Sequence, residues 1–158
     1  MKMHNPTRLT TLALLACLAG IPTAYAATTT TTFTVTATVP SVCSVSATNL
    51  SFGTYANAQI DATSIVSVTC TSGGGYTVAL DNGTNYSVPN RRMTNGSASL
   101  NYELYSDSGR SVIWNSTNTV AGTGSGSAQD LTVYGRLTAT QGLIAGFYTD
   151  TITVTVTY

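Results

Sequence analysis

From residue 27 onward, apolar and polar positions alternate one by one along short runs, and turn residues separate the runs. In "TTFTVTATV" the apolar positions are Phe33, Val35, Ala37 and Val39, each flanked by threonine. The same alternation recurs at Val66, Val68 and Cys70, at Tyr76, Val78 and Leu80, and at Leu100, Tyr102 and Leu104. It closes the chain with Ile152, Val154, Val156 and Tyr158. A period of two places alternate side chains on one face of a strand. No stretch after the leader shows helical periodicity, and Thr, Ser, Val, Tyr and Gly dominate. The pattern predicts an all-β sandwich or barrel.

The runs also predict the order of elements. Val42–Val45 and Leu50–Tyr55 read as short strands near Cys43. Ile65–Thr71 and Tyr76–Leu80 flank the turn "SGGG" and read as a hairpin. Asp81–Ser97 reads as a long polar connection rich in Asn-Gly turns, and Ser99–Asp107 as the next strand. A turn at Asp107–Gly109 precedes Arg110–Trp114. Ala121–Asp130 reads as a flexible Gly/Ser loop before a strand over Leu131–Ala139 and a last one over Phe147–Tyr158. The leading run Thr31–Val39 and the closing run lack hairpin partners of their own. Against the about seven strands of a complete immunoglobulin-like sandwich, the chain reads as one strand short at the end, with one to spare at the front.

The first 26 residues carry a different pattern. Lys2 and Arg8 precede an apolar run, Leu9–Ile21, and Ala24-Tyr25-Ala26 is an A-x-A cleavage site. That is the layout of a secretory signal peptide, and the run is too short to span a membrane. Leu14-Leu15-Ala16-Cys17 loosely matches a lipoprotein box, but the apolar segment before it is short and the better cleavage site lies downstream. Cleavage after Ala26 leaves 158 − 26 = 132 residues, enough for one domain with a real core. The expected division is residues 1–26 as leader, 27–40 as an N-terminal strand and 41–158 as the sandwich. The mature chain carries four arginines against six acidic residues, a net charge of 4 − 6 = −2, which gives no pull toward nucleic acid or anionic lipid.

Composition then narrows the chemistry. Beyond the leader there is no His, no Lys and one Glu, Glu103. Ser-His-Asp and Cys-His machinery, Schiff-base lysines and histidine metal sites are therefore excluded. The remaining acids sit in turn contexts, "LDNG", "SDSG" and "YTDT", where Asp caps a turn, so a two-carboxylate hydrolase is not expected. No enzyme and no cofactor is predicted. Gly122–Ser127 lacks the Gly-Lys-Ser/Thr of a phosphate loop. Trp114 reads as core packing rather than a sugar platform, and Arg91-Arg92 as a solvated or turn-anchoring pair. Once Cys17 leaves with the leader, Cys43 and Cys70 are the sole pair in an exported chain, and a disulfide is the default expectation over free thiols or a metal site.

An ordered series of segments resembles a known family. These are "CSVSATNLSFGTY" (Cys43–Tyr55), "VTCTSGGGYTVALDNG" (Val68–Gly83), "RRM" (Arg91–Met93) and "SLNYELYSDS" (Ser99–Ser108). Trp114, "VYGRL" (Val133–Leu137) and "AGFYTDTITVTVTY" (Ala145–Tyr158) follow. The series resembles the spore coat protein U domain family and, within it, subunits of archaic, Csu-type chaperone–usher pili. One departure is the absence of a proline in the turn before Gln141. The resemblance implies an incomplete immunoglobulin-like sandwich, missing its last strand and completed by a strand from another subunit or from a periplasmic chaperone. It implies assembly at an outer-membrane usher into an extracellular pilus supporting adhesion and biofilm formation. Carried onto this chain, the donor strand would be Thr31–Val39, with Thr31, Phe33, Val35, Ala37 and Val39 on its inward face. The acceptor groove would be bordered by Ile152, Val154, Val156 and Tyr158. The competing expectations are a monomeric lectin-like sandwich and a spore or cell-surface coat protein.

Overall fold

The computed structural model describes residues 24–142 and 144–158. The expected leader therefore lies, apart from Ala24–Ala26, outside the described residues. Residues up to Ala37 and residues Thr38–Tyr158 form two separate units. In the first, residues 24–37 carry no secondary structure and every one is exposed. The strand expected over Thr31–Val39 is thus not formed in this chain by itself. The physical reason is simple: a lone strand leaves its amide groups without partners, and strands are stable only within sheets.

The second unit holds eight strands and, among the described residues, no helix. They are β1 (Cys43–Ala47), β2 (Ile60–Cys70), β3 (Gly75–Leu80), β4 (Arg91–Thr94), β5 (Ser99–Tyr105), β6 (Val120–Thr123), β7 (Ala128–Leu137) and β8 (Val154–Thr157). One sheet has the order β1-β2-β7-β5-β4 and the other β6-β3-β8, with antiparallel neighbours throughout. The alternating residues meet between the sheets. Val66, Val68, Leu100, Leu104, Val133 and Leu137 come from the larger sheet. Tyr76, Val78 and Leu80 come from β3, and Val154 and Val156 of β8 pack half-buried against them.

Several expectations change. β2 and β3 do not form a hairpin; they lie in different sheets, and Ser72–Gly74 turns a corner between them. β2 has both edges occupied, by β1 from Cys43↔Cys70 and by β7 from Ile60↔Leu137. β3 is likewise filled by β6 and β8, so neither strand has an edge left for the other. Leu50–Tyr55 is irregular and forms no strand. The supposed polar connection contains β4, and the supposed flexible loop contains most of β6 and the start of β7. The closing strand is shorter than expected, beginning at Val154.

Cys43 and Cys70 are disulfide-bonded across the β1–β2 register, with Cα atoms 4.1 Å apart and a sequence separation of 27. A loop of that length gives a disulfide worth about 3–4 kcal/mol in the chain-entropy account. Gly124 sits against this corner: a Cβ there would lie 2.3 Å from the Thr71 carbonyl oxygen and 2.9 Å from the Cys70 Cβ. Only glycine allows that approach.

Candidate functional site: an open groove between the sheets

β8 ends the smaller sheet and β1 the larger. β8 pairs with β3 from Leu80↔Val154 to Thr77↔Thr157, and among the described residues no strand pairs with its other edge. Beside it the sandwich opens into a groove of about 1130 Å³. Ile152 and Val154 line one side, and Leu50, Phe52 and Tyr55 line the other. Its floor is core: Val66, Leu80, Leu100, Leu104 and Val133 all reach it. All five are themselves buried, so the floor of the groove is packed core.

The Leu50–Tyr55 wall is positioned by β7. A Cβ on Gly135 would come within 2.8 Å of Leu50 Cδ1 and 3.0 Å of Phe52 Cζ, so these side chains rest on bare backbone. Phe52 also meets Tyr102 edge-on, with ring centroids 6.1 Å apart, and the Tyr55 hydroxyl donates to the Thr138 carbonyl at 2.8 Å. The sequence shows the Leu50/Phe52 alternation, but reading it as a strand conceals its role as a wall.

Of the expected groove residues, Ile152 and Val154 line the opening. Val156 packs half-buried against the core, and Tyr158 lies beyond β8 with 58% of its surface exposed. Ile144, Phe147 and Tyr148, which sequence reasoning did not single out, line the groove too; Phe147 is 86% exposed. On the separate N-terminal unit Thr31 and Ala37 are exposed, as are Phe33 at 87% and Val35 at 81%; Val39, just past that unit's end, is 79% exposed. These are apolar side chains in water, placed at a strand's period.

The groove's polar support centres on Asp150. Its Oδ2 accepts from the Tyr102 hydroxyl at 2.7 Å, and its Oδ1 accepts from Thr84 Oγ1 at 2.8 Å and from the Asn85 backbone amide at 3.1 Å. The turn-capping role expected of the acids is present: Gly83 N donates to Asp81, and Ser111 and Val112 amides donate to Asp107. Burial raises the Asp81 carboxyl, but hydrogen bonds from Thr153 and Gly83 outweigh it, and the pKa settles below the usual value. Burial first, and then the hydrogen bond to Asp150, push the Tyr102 phenol far above its ordinary range. A folded pKa above the unfolded value of about 10 means stability that is full below pH 10 and lost as pH rises beyond it. Denaturant midpoints should therefore fall steeply above pH 10. Tyr102→Phe should cost about 1.5–3 kcal/mol at neutral pH, the range for a hydrogen bond to a charged group, and flatten that decline. An unchanged alkaline slope in the variant would contradict the assignment.

Trp114 is fully buried and donates Nε1–H to the Val78 carbonyl at 2.9 Å, so it is core and offers no sugar platform. Arg91 is corrected. It is buried at 1% exposure, paired with Glu103, and donates to the carbonyls of Asp81 and Trp114. Among the described residues no group of three or more His, Cys, Asp or Glu gathers to hold a metal.

The family model described as the spore coat protein U domain matches residues 29–155. The chain belongs to the spore coat protein U domain family. Within reach of this family, the chain is 30% identical to Protein U of Myxococcus xanthus over 177 aligned residues, 96% of this chain and 97% of that protein. Among solved structures it resembles the CsuC–CsuE chaperone–tip adhesion subunit pre-assembly complex from archaic chaperone–usher Csu pili of Acinetobacter baumannii. That match has a TM-score of 0.59 and 25% identity, over 77% of this chain and 40% of that chain. This spore coat U domain is all-β and immunoglobulin-like, and it is incomplete at β8.

Proposed function

We propose that this protein is a structural subunit of a surface pilus, assembled by the chaperone–usher route through donor-strand exchange. The observation that carries the reading is the pairing of two unmet needs in one chain. An apolar groove lies open beside the unpaired edge of β8, while Phe33, Val35 and Val39 stand exposed at alternate positions. A strand entering the groove would receive main-chain hydrogen bonds from the β8 edge and seat alternate side chains on the core floor. A free edge of this kind otherwise invites aggregation. Thr31, Phe33, Val35, Ala37 and Val39 form the inward face of the donor, and Ile152, Val154, Val156 and Tyr158 belong to the accepting border. Because one copy's donor enters another's groove, the contact is head-to-tail and propagates instead of closing.

In this reading the partners are further pilus subunits, a periplasmic chaperone that fills the groove before assembly, and an outer-membrane usher. The chain is exported through the periplasm after removal of residues 1–26 and works outside the cell, in adhesion and biofilm formation. It has no catalytic task and needs no cofactor. The test removes residues 27–39 and supplies them in trans as a peptide. The truncated protein alone is expected to be unstable or to self-associate, and the peptide should bind it and yield a defined one-to-one complex by size-exclusion chromatography. A truncated protein that is monomeric, stable and indifferent to the peptide sinks the reading.

A further inference from the structure

A second recess lies on the opposite face of the larger sheet. Strand alternation sends Arg91 and Met93 of β4 inward and Arg92 and Thr94 outward, and the β4–β5 register sets Thr94 opposite Ser99. Asn85 and Tyr86, from the connection before β4, complete a shallow, open depression with Arg92, Thr94, Ser97 and Ser99.

Arg92 is the unusual member. Its Nε is buried and has no hydrogen-bond partner. The ion pairs among the described residues engage Arg91, Arg110 and Arg136, so Arg92 meets no carboxylate of its own chain there. No acidic residue lines the depression. Nε itself has no surface open to the recess, so a ligand there would meet the guanidinium through its terminal Nη nitrogens, and a charged group in a half-buried position gains most from an acceptor. A planar guanidinium is best met by a carboxylate, through two parallel hydrogen bonds.

The other walls favour a hydroxyl-rich ligand around that carboxylate. The Asn85 side-chain amide spends its donors on Thr84, Thr149 and Asp150, which leaves Oδ1 as an acceptor. Its backbone amide is also held by Asp150, so this wall is fixed in place. Thr94 is consumed by its own turn, donating to the Ala98 carbonyl and accepting from the Gly96 amide. Tyr86, 38% exposed, offers a ring and a phenol at the rim. Aromatic rings of this kind give an apolar face with a polar tip. We propose that this recess binds a carboxylate-bearing sugar, with Arg92 gripping the carboxylate and Asn85, Ser99 and Tyr86 meeting the hydroxyls and ring face.

The proposal stands independently of strand exchange. Saturation-transfer difference NMR on the full-length protein, with D-glucuronate as probe, tests it. A saturable signal with millimolar affinity is expected, and D-glucose and acetate should each bind roughly tenfold more weakly or not at all. Arg92→Met should abolish the signal, and Arg92→Lys should weaken it about tenfold, because an ammonium keeps the charge without the fork. Far-UV circular dichroism verifies that each variant is folded, and Ser99→Ala, which leaves the arginine intact, should weaken binding severalfold. Phe33→Asp, which is aimed at strand exchange, should leave glucuronate binding unchanged. The proposal is overturned by any one of three results: no saturable glucuronate signal, equal binding of acetate, or wild-type binding by folded Arg92→Met.

Discussion

Arg91→Ala is expected to lower the unfolding free energy by about 3–5 kcal/mol, the range found when one partner of a buried ion pair is removed. Arg91 is 1% exposed and ties together parts of the chain that belong to different layers. Its Nη1 pairs with Glu103 of β5. Its Nε and Nη2 donate to the Asp81 carbonyl, just past β3, at 3.0 and 2.6 Å, and Nη2 donates to the Trp114 carbonyl at 2.8 Å. Truncation strands the Glu103 carboxylate, removes donors from two carbonyls and leaves a void in one step. A sandwich with one strand absent closes its sheets over less apolar area, so this clamp weighs more than it would in a complete one. Arg91→Lys should also be costly, since one ammonium cannot span three acceptors in a fixed plane. Urea denaturation of the variants measures the effect. A loss under about 1 kcal/mol for Arg91→Ala would show that solvent or a neighbour takes over its contacts.

Phe33→Ala in the peptide covering residues 27–39 is expected to weaken binding to the truncated protein about 10- to 100-fold. The estimate follows from about 1.5–3 kcal/mol for burying a large apolar side chain. Phe33→Asp should abolish both peptide binding and assembly of the intact chain, because it would force a carboxylate into a floor of Leu, Val and Tyr side chains. Phe33 starts from 87% exposure, so nearly all its apolar surface is available to be gained. Thr34 is the control, since a strand's alternation points it away from the groove. Thr34→Ala should change the affinity less than about threefold. If Thr34→Ala weakens the peptide as much as Phe33→Ala does, the inward face has been assigned wrongly. Fluorescence anisotropy of a labelled peptide reports both values.

Legibility in the sequence followed the range of the interaction. The inward faces of β2, β3 and β5 were plain, because alternation at period two is local and survives any sheet arrangement. Asp81 and Asp107 were recognisable as caps for the same reason, since each binds amides two to five residues ahead. Arg91-Arg92 looked like one charged pair. Only once β4 is recognised as a strand does alternation split it into a buried clamp and an outward, unpaired guanidinium. The hairpin expected around Ser72–Gly75 failed because the same glycine-rich turn serves a hairpin or a sheet-to-sheet corner. The edges of β2 and β3 were claimed by strands distant in sequence.

What the sequence by itself determined was the all-β class, the Cys43–Cys70 pair, the absence of His and Lys beyond residue 26 and the presence of an apolar-faced segment at Phe33–Val39. Composition and period two carry all of these, and neither depends on how the sheets are arranged. The tertiary structure alone decided that β8 ends its sheet and that Leu50, Phe52, Ile152 and Val154 surround one opening. The two walls come from segments about a hundred residues apart. No local pattern encodes a meeting at that separation, because it is the competition among strands for edges that leaves one edge unfilled.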